Sequence, residues 1–179
     1  MRVAVLSDIH DNLWKLAPAL DFVRDCEAMI CCGDLCSPFV IDELGNGFKS
    51  DIHIVFGNND ADLFRITAKS KRYPQVRFYG ELCEITLGGK RFGINHFDYI
   101  AKPLANSGRY DVVCFGHNHE FEITQFQSTL ALNPGPIMGA KFGAGGRQDV
   151  PSTFIVYDTK AGSPQGFRVD DDGAGVREI

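Results

Sequence analysis

The sequence predicts a mixed α/β domain in which two sheets pack face to face and are covered by helices. Strand-like apolar runs alternate with helical periodicities through the first half of the chain, and the second half reads as a meander of strands with short connections. The early strands are continuous Val, Ile, Leu and Ala runs, as expected where both faces of a parallel sheet are buried.

The elements follow in order. Arg2 to Ser7 is the first strand. Leu13, Leu16, Ala17, Leu20 and Val23 keep a helical period behind Asn12, a good N-cap, so a helix is expected from Asn12 to about Asp25. Ala28 to Cys32 is a second strand, ended by Gly33. A weaker helix spans Pro38 to Leu44, and Ile52 to Phe56 is a third strand stopped by Gly57. Asp60 is expected to cap a helix running into Lys71, ahead of Pro74. Leu82 to Leu87 and Lys90 to Asn95 form a hairpin around Gly88-Gly89. A helix from Tyr99 to Ala105 and a strand from Asp111 to Phe115 come next. Phe121 to Phe126, Thr129 to Asn133, Ser152 to Asp158 and Phe167 to Val169 read as further strands. The glycine-rich stretch from Gly139 to Gly146 is expected to be a mobile loop. Residues 1–169 are taken as one domain and 170–179 as a flexible, fraying tail.

Bulk properties exclude several classes. The chain has 179 residues, 44% hydrophobic and 23% charged, enough for a soluble domain with its own core. A net charge of −5 without a basic stripe gives no strong signal for nucleic acid. No apolar run approaches the ~18 residues of a membrane helix. The opening strand is too short for a secretory leader, so a cytoplasmic location is expected. Cys26, Cys31, Cys32 and Cys36 do not have zinc-knuckle spacing, and buried free thiols are the expectation for the six cysteines.

Polar residues gather at the strand ends. The first strand closes with Ser7-Asp8-Ile9-His10, the second with Gly33-Asp34, and the third with Gly57-Asn58-Asn59-Asp60. The hairpin closes with Asn95-His96, and the following strand with Gly116-His117-Asn118-His119. Ligands of open α/β sheets bind beyond the carboxyl ends of the strands, so these five loops can converge. As candidate ligands they offer two carboxylates (Asp8, Asp34), one carboxamide oxygen (Asn58) and four imidazoles (His10, His96, His117, His119), a mixed O/N set that suits manganese, iron, nickel, zinc or cobalt rather than calcium or magnesium alone. Seven ligands exceed one tetrahedral site and suit two metals with a shared carboxylate. His53, in mid-strand, is expected to be a packed histidine instead.

In these motifs, DIH, GD, GNND, His96 and GHNH, and in the NPG at Asn133 to Gly135, the chain from Met1 to about Tyr157 resembles the calcineurin-like metallophosphoesterases, in particular their small single-domain phosphodiesterase branch. The resemblance implies a four-layer α/β/β/α sandwich. It implies one metal on Asp8, His10, Asp34 and His119 and a second on Asp34, Asn58, His96 and His117, with Asp34 bridging. Asp34, Asn58 and His117 are the candidate catalytic residues. Two divalent transition-metal ions are the implied cofactors, manganese foremost, with iron, nickel, zinc and cobalt as alternatives. The implied reaction is in-line attack of a metal-bridging hydroxide on a small phosphate ester, most readily a diester.

Three departures from the family pattern are visible. Asn59 stands where many members carry a histidine that can protonate the leaving group, and an amide is no acid near neutral pH. Phe97 replaces the glycine that usually follows the hairpin histidine, and Pro136 follows NPG where serine is common. Arg147 is expected to be a solvated loop residue. Two other functions compete with the phosphodiesterase. One is a phosphomonoesterase or nucleotidase; the other is a silent, partner-binding scaffold such as the retromer subunit of this fold. Retention of all seven candidate ligands favours the enzyme.

Overall fold

A computed structural model describes residues 1–179. Strands β1 (Arg2–Leu6), β2 (Ala28–Cys31), β3 (Asp51–Ile54) and β4 (Val76–Phe78) run parallel, connected by helices α1 (Leu13–Val23), α2 (Phe39–Gly47) and α3 (Leu63–Ser70). A hairpin of β5 (Leu82–Leu87) and β6 (Lys90–Asn95) opens a second sheet, and α4 (Asp98–Asn106) crosses from β6 to β7 (Val112–Cys114). β8 (Phe121–Phe126) and β9 (Thr129–Pro134) complete that sheet in the order β5-β6-β7-β9-β8. A separate ribbon pairs β10 (Ala140–Gly143) with β11 (Gly146–Asp149). The chain then returns to the first sheet. β12 (Ser152–Asp158) lies antiparallel to β1, followed by β13 (Ser163–Val169) and β14 (Val176–Glu178), giving the order β14-β13-β12-β1-β2-β3-β4.

The core divides into layers, as the alternation of side chains along strands requires. Ala4, Leu6, Met29, Cys31, Ile52 and Ile54 face α1, α2 and α3. Val3, Val5, Ile30, Cys32, Phe92, Ile94, Cys114 and Leu132 fill the space between the sheets. Val113, Phe115 and Ala131 meet Ala101 and Ala105 of α4 on the outer side. The result is a helix layer, two sheets and a second helix layer. No helix is long and apolar enough to cross a membrane.

Several sequence expectations are corrected. Asp60 does not cap α3; Asp62 does, its carboxylate accepting the Arg65 N–H at 3.1 Å. The glycine-rich loop is largely the β10–β11 ribbon, with Gly143 to Gly146 as its turn. The expected frayed tail carries β14, which pairs with β13 through Phe167↔Glu178. β4 was not foreseen. By contrast the N-cap at Asn12 stands as expected, accepting the Lys15 N–H at 3.2 Å. All six cysteines are free and five are buried.

Candidate metal centre

Each candidate ligand sits in the loop just past a parallel strand. Asp8 and His10 follow β1, Asp34 follows β2, Asn58 follows β3, His96 follows β6, and His117 and His119 follow β7. These loops meet at one end of the sandwich. Ligand atoms of Asp8, His10, Asp34 and His119 all lie within 4.8 Å of one another. His119 Nε2 is 3.2 Å from Asp8 Oδ1, and His10 Nε2 is 3.4 Å from Asp34 Oδ2. The same Asp34 oxygen is 3.4 Å from His96 Nε2. Asn58 Oδ1 in turn faces His96 Nε2 at 3.1 Å and His117 Nδ1 at 2.9 Å. All seven residues therefore come together. His53 does not: it is held in β3 with its Nδ1 2.8 Å from the Tyr79 hydroxyl. Arg147 lies on β11 and is paired with Asp149 at 2.7 Å.

The local backbone is bent to achieve this. Asp8, His10, Asp34, His117 and His119 all have φ between 43° and 73°, the left-handed region that non-glycine residues rarely enter. Such positions cost roughly 1–3 kcal/mol each and persist where the surroundings enforce them. Close approach also excludes side chains. A Cβ at Gly57 would stand 2.7 Å from the Asp34 nitrogen and closer still to its carboxylate, and one at Gly116 would stand 2.5 Å from Asp8 Oδ2.

Hydrogen bonds at the far side of each ring fix the tautomers. The Nδ1–H of His96 donates to the Cys32 carbonyl at 2.7 Å, and that of His119 to the Ala140 carbonyl at 2.6 Å. Each neutral ring then turns an Nε2 lone pair into the cluster, a pattern typical of metal-binding histidines. Asp8 Oδ1 and His10 Nε2 are buried and make no hydrogen bond. Lone pairs facing lone pairs need a cation between them, either a proton or a metal ion. The residues present thus fit a divalent metal, by the chemistry of the donor set and by these orphaned atoms.

The charges point the same way. Burial alone would raise the Asp8 carboxyl, but its contacts with His10 and His119 hold it below the usual carboxylate range. Asp34 is lowered as well: His96 and Asn59 outweigh its burial. For His96, desolvation is overcome by Asp34 and Asp8, and the ring is pushed above the ordinary histidine value. His119 is raised in the same way, chiefly by Asp8.

The surrounding shell holds residues whose roles the sequence hid. Buried Asp60 accepts N–H groups from Leu35 (2.7 Å), Gly57 (2.8 Å), Cys36 (3.0 Å) and Asp34 (3.1 Å), tying the β2 and β3 loops together. Asn59 gives both its backbone N–H and its amide to the Asp34 carboxylate, each at 2.8 Å. Asn133 of the NPG motif donates to the Asn118 side chain at 2.7 Å and so braces the GHNH loop. Phe97 has φ −82°, which needs no glycine, and its ring packs edge-on against His96 and His117. The signal for Asp60 was present in GNND, but a carboxylate after a turn reads equally well as a helix cap.

A phosphodiesterase of Methanocaldococcus jannaschii is 30% identical over 143 residues, 78% of this chain and 86% of its own. A probable metallophosphoesterase of Methanothermobacter thermautotrophicus is 28% identical over 145 residues, 75% of this chain and 76% of its own. Among solved structures, an archaeal phosphodiesterase superposes with a TM-score of 0.82 at 26% identity, covering 94% of this chain and 99% of that one. Vacuolar protein sorting 29 of Cryptosporidium parvum shares the fold, with a TM-score of 0.73 at 20% identity over 99% of this chain and 96% of that one. The family model of the calcineurin-like phosphoesterase superfamily domain matches residues 1–162. With a match across most of its length, a four-layer fold to go with it and loops that meet at a donor set fit for a divalent metal, the chain belongs to the calcineurin-like phosphoesterase superfamily.

Proposed function

We propose that this protein is a binuclear metal-dependent phosphodiesterase. One ion would be held by Asp8, His10, Asp34 and His119, the other by Asp34, Asn58, His96 and His117. The observation that carries this assignment is Asp34 Oδ2, which lies 3.4 Å from His10 Nε2 on one side and 3.4 Å from His96 Nε2 on the other. One carboxylate oxygen thus touches both ligand groups, as a bridge must. The thiol-free set of oxygen and imidazole donors suits manganese, iron, nickel, zinc or cobalt, and the family resemblance puts manganese first.

Bound divalent ions supply positive charge to phosphoryl oxygens and lower the pKa of water towards ~7. The protein sets how much of that charge reaches the substrate. Asp8 and Asp34 offset half of the four charges brought by two such ions, and Asn58, a neutral amide, offsets none. The remainder matches the single charge of a diester plus one ionised water. Asn58 is exposed and His117 half-exposed at the cleft, where they can meet the phosphate, while Asp34 stays buried beneath. The M. jannaschii relative, named a phosphodiesterase, supports the same substrate class. We take the chain as one catalytic domain, residues 1–169 together with β14, and the free thiols, five of them buried, suit a reducing, cytoplasmic setting.

The test is turnover by manganese-loaded protein of bis(p-nitrophenyl) phosphate against p-nitrophenyl phosphate and cyclic nucleotides. Preference for the diesters is the expected result. Preference for the monoester would reassign the protein as a phosphomonoesterase.

A further inference from the structure

We infer that Phe142, on the β10–β11 ribbon, is a specificity residue that stacks against a flat aromatic group carried by the phosphate ester. The inference rests on the phosphodiesterase assignment for the adjoining centre and goes on to name what one of the two ester groups is.

The cleft over the centre has a volume of about 680 Å³, well beyond what a bare phosphate needs and within the range of ordinary ligand sites. Its walls include His10, Asp34, Asn58, His117 and His119, and beside these polar residues Phe142 is the one apolar side chain. Phe142 is 66% exposed and joins none of the three hydrophobic clusters, so folding does not account for it. A large aromatic ring left in water at the mouth of a polar cleft is a platform waiting for a partner of its own kind.

The backbone that carries that ring is anchored beside the centre. Ala140, two residues earlier, is buried, and its carbonyl accepts the His119 Nδ1–H at 2.6 Å. The segment leading into the ribbon is anchored to the β1 loop, with Met138 N–H donating to the Asp8 carbonyl at 3.0 Å. Phe142 pairs across the ribbon with Arg147, whose guanidinium is already committed to Asp149. Lys141, the only lysine or arginine lining the cleft, is loosely paired with Glu120 at 3.5 Å. The strand whose Ala140 carbonyl orients His119 therefore also places Phe142 in the wall of the cleft, two residues further on. Stacking of a base or aryl ring on an aromatic side chain tolerates many ring identities, so the ligand class is a phosphate ester bearing a nucleobase or an aryl group.

Equilibrium binding to the manganese-loaded full chain tests this without needing turnover. Methyl phosphate, phenyl phosphate and thymidine 5′-phosphate would be titrated by calorimetry into wild type, Phe142→Ala and Phe142→Trp. Wild type should bind at least one of the two aromatic esters roughly 5- to 100-fold more tightly than methyl phosphate, the spread expected of one stacked ring. Phe142→Ala should erase that preference and leave methyl phosphate binding unchanged, while Phe142→Trp should keep it. Phenyl phosphate alone being favoured would assign an aryl ester; thymidine 5′-phosphate alone would assign a nucleotide. No preference in wild type, or a preference that survives in Phe142→Ala, would overturn the inference. Because binding is read directly, a protein that shows the preference but turns over no diester would sink the proposed reaction and leave the role of Phe142 standing.

Discussion

The carboxylate of Asp60 accepts the backbone N–H of Asp34 at 3.1 Å, so the residue proposed to bridge two metals is itself held by a second buried acid. Removing Asp60 takes the acceptor from four N–H groups, those of Asp34 and Leu35 buried and those of Cys36 and Gly57 partly so. Asp60→Ala is expected to cost about 2–4 kcal/mol of stability in urea unfolding, since bonds to a charged acceptor are worth ~1.5–3 kcal/mol each and do not add in full. Metal affinity should fall with it. An unfolding midpoint within error of wild type would contradict this clamp.

Asp34→Ala should remove more activity than loss of any other candidate ligand, because it strips a donor from both ligand groups at once. Metal content after dialysis is the direct measure. Retention of two equivalents of manganese would refute the bridge.

Gly57→Ala tests close packing at the same residue. The new methyl would collide with the Asp34 backbone and carboxylate. Gly57 lies outside the positive-φ set, so the backbone itself accepts alanine. Metal affinity is therefore expected to drop more than about tenfold while the cost in stability stays near the ~1–3 kcal/mol of an overpacked site. Unchanged metal affinity would mean that the loop yields and that contact at Gly57 does not position Asp34.

Much of this arrangement was legible in the sequence, and the failures have physical reasons. Buried strands such as Arg2–Leu6 and hairpins with a Gly-Gly turn declare themselves by composition, and polar residues directly after them mark the loops that carry the candidate ligands. β4 is only Val76–Phe78, too short for any period to register. β10 and β11 are glycine-rich and mostly exposed, so no buried face imposes alternation on them. The early part of β13 holds Pro164 and Gly166, both poor strand formers, which it tolerates because β12 is its one strand partner there and β14 pairs only with Phe167–Val169. The role of Asp60 depends on four backbone groups from two loops distant in sequence, and no local pattern reports that.

Acid should empty the site. His96 and His119 have folded pKa values raised above the ordinary ~6.5, so protons compete with metal beginning above that pH. In the metal-free protein the sign is the reverse. A raised histidine contributes stability that is fully present below the unfolded value and is lost as pH rises through the folded one. The lowered Asp8 and Asp34 carboxyls contribute stability that is present above the unfolded value of ~3.9 and is lost as the pH falls from there through their folded values. From pH 8 to 6, manganese affinity should therefore fall while the histidine contribution to metal-free stability grows. Metal fully retained at pH 4 would contradict an imidazole-rich site.

Asn59 has two consequences for rate. Its amide supports Asp34, so Asn59→Ala is expected to lower metal affinity several-fold even though the backbone bond survives. It also supplies no proton, and general acids typically contribute ~10²–10⁴-fold. Rates over a series of aryl and alkyl diesters should fall steeply as the leaving-group pKa rises. Asn59→His should flatten that slope and give up the side-chain bond to Asp34. A flat wild-type series, measured where chemistry limits the rate, would disprove the absence of an acid.

The placement of β12 beside β1 bears on how the protein is made. The last candidate ligand, His119, leaves the ribosome well before Ser152–Asp158, yet β1, which leads into Asp8 and His10, has an open edge until that segment arrives. A nascent chain thus owns every donor atom before it owns the sheet that aims them. Loading with metal belongs after synthesis has passed β12, and chains truncated between residues 119 and 152 would carry the complete ligand set on an unfinished scaffold.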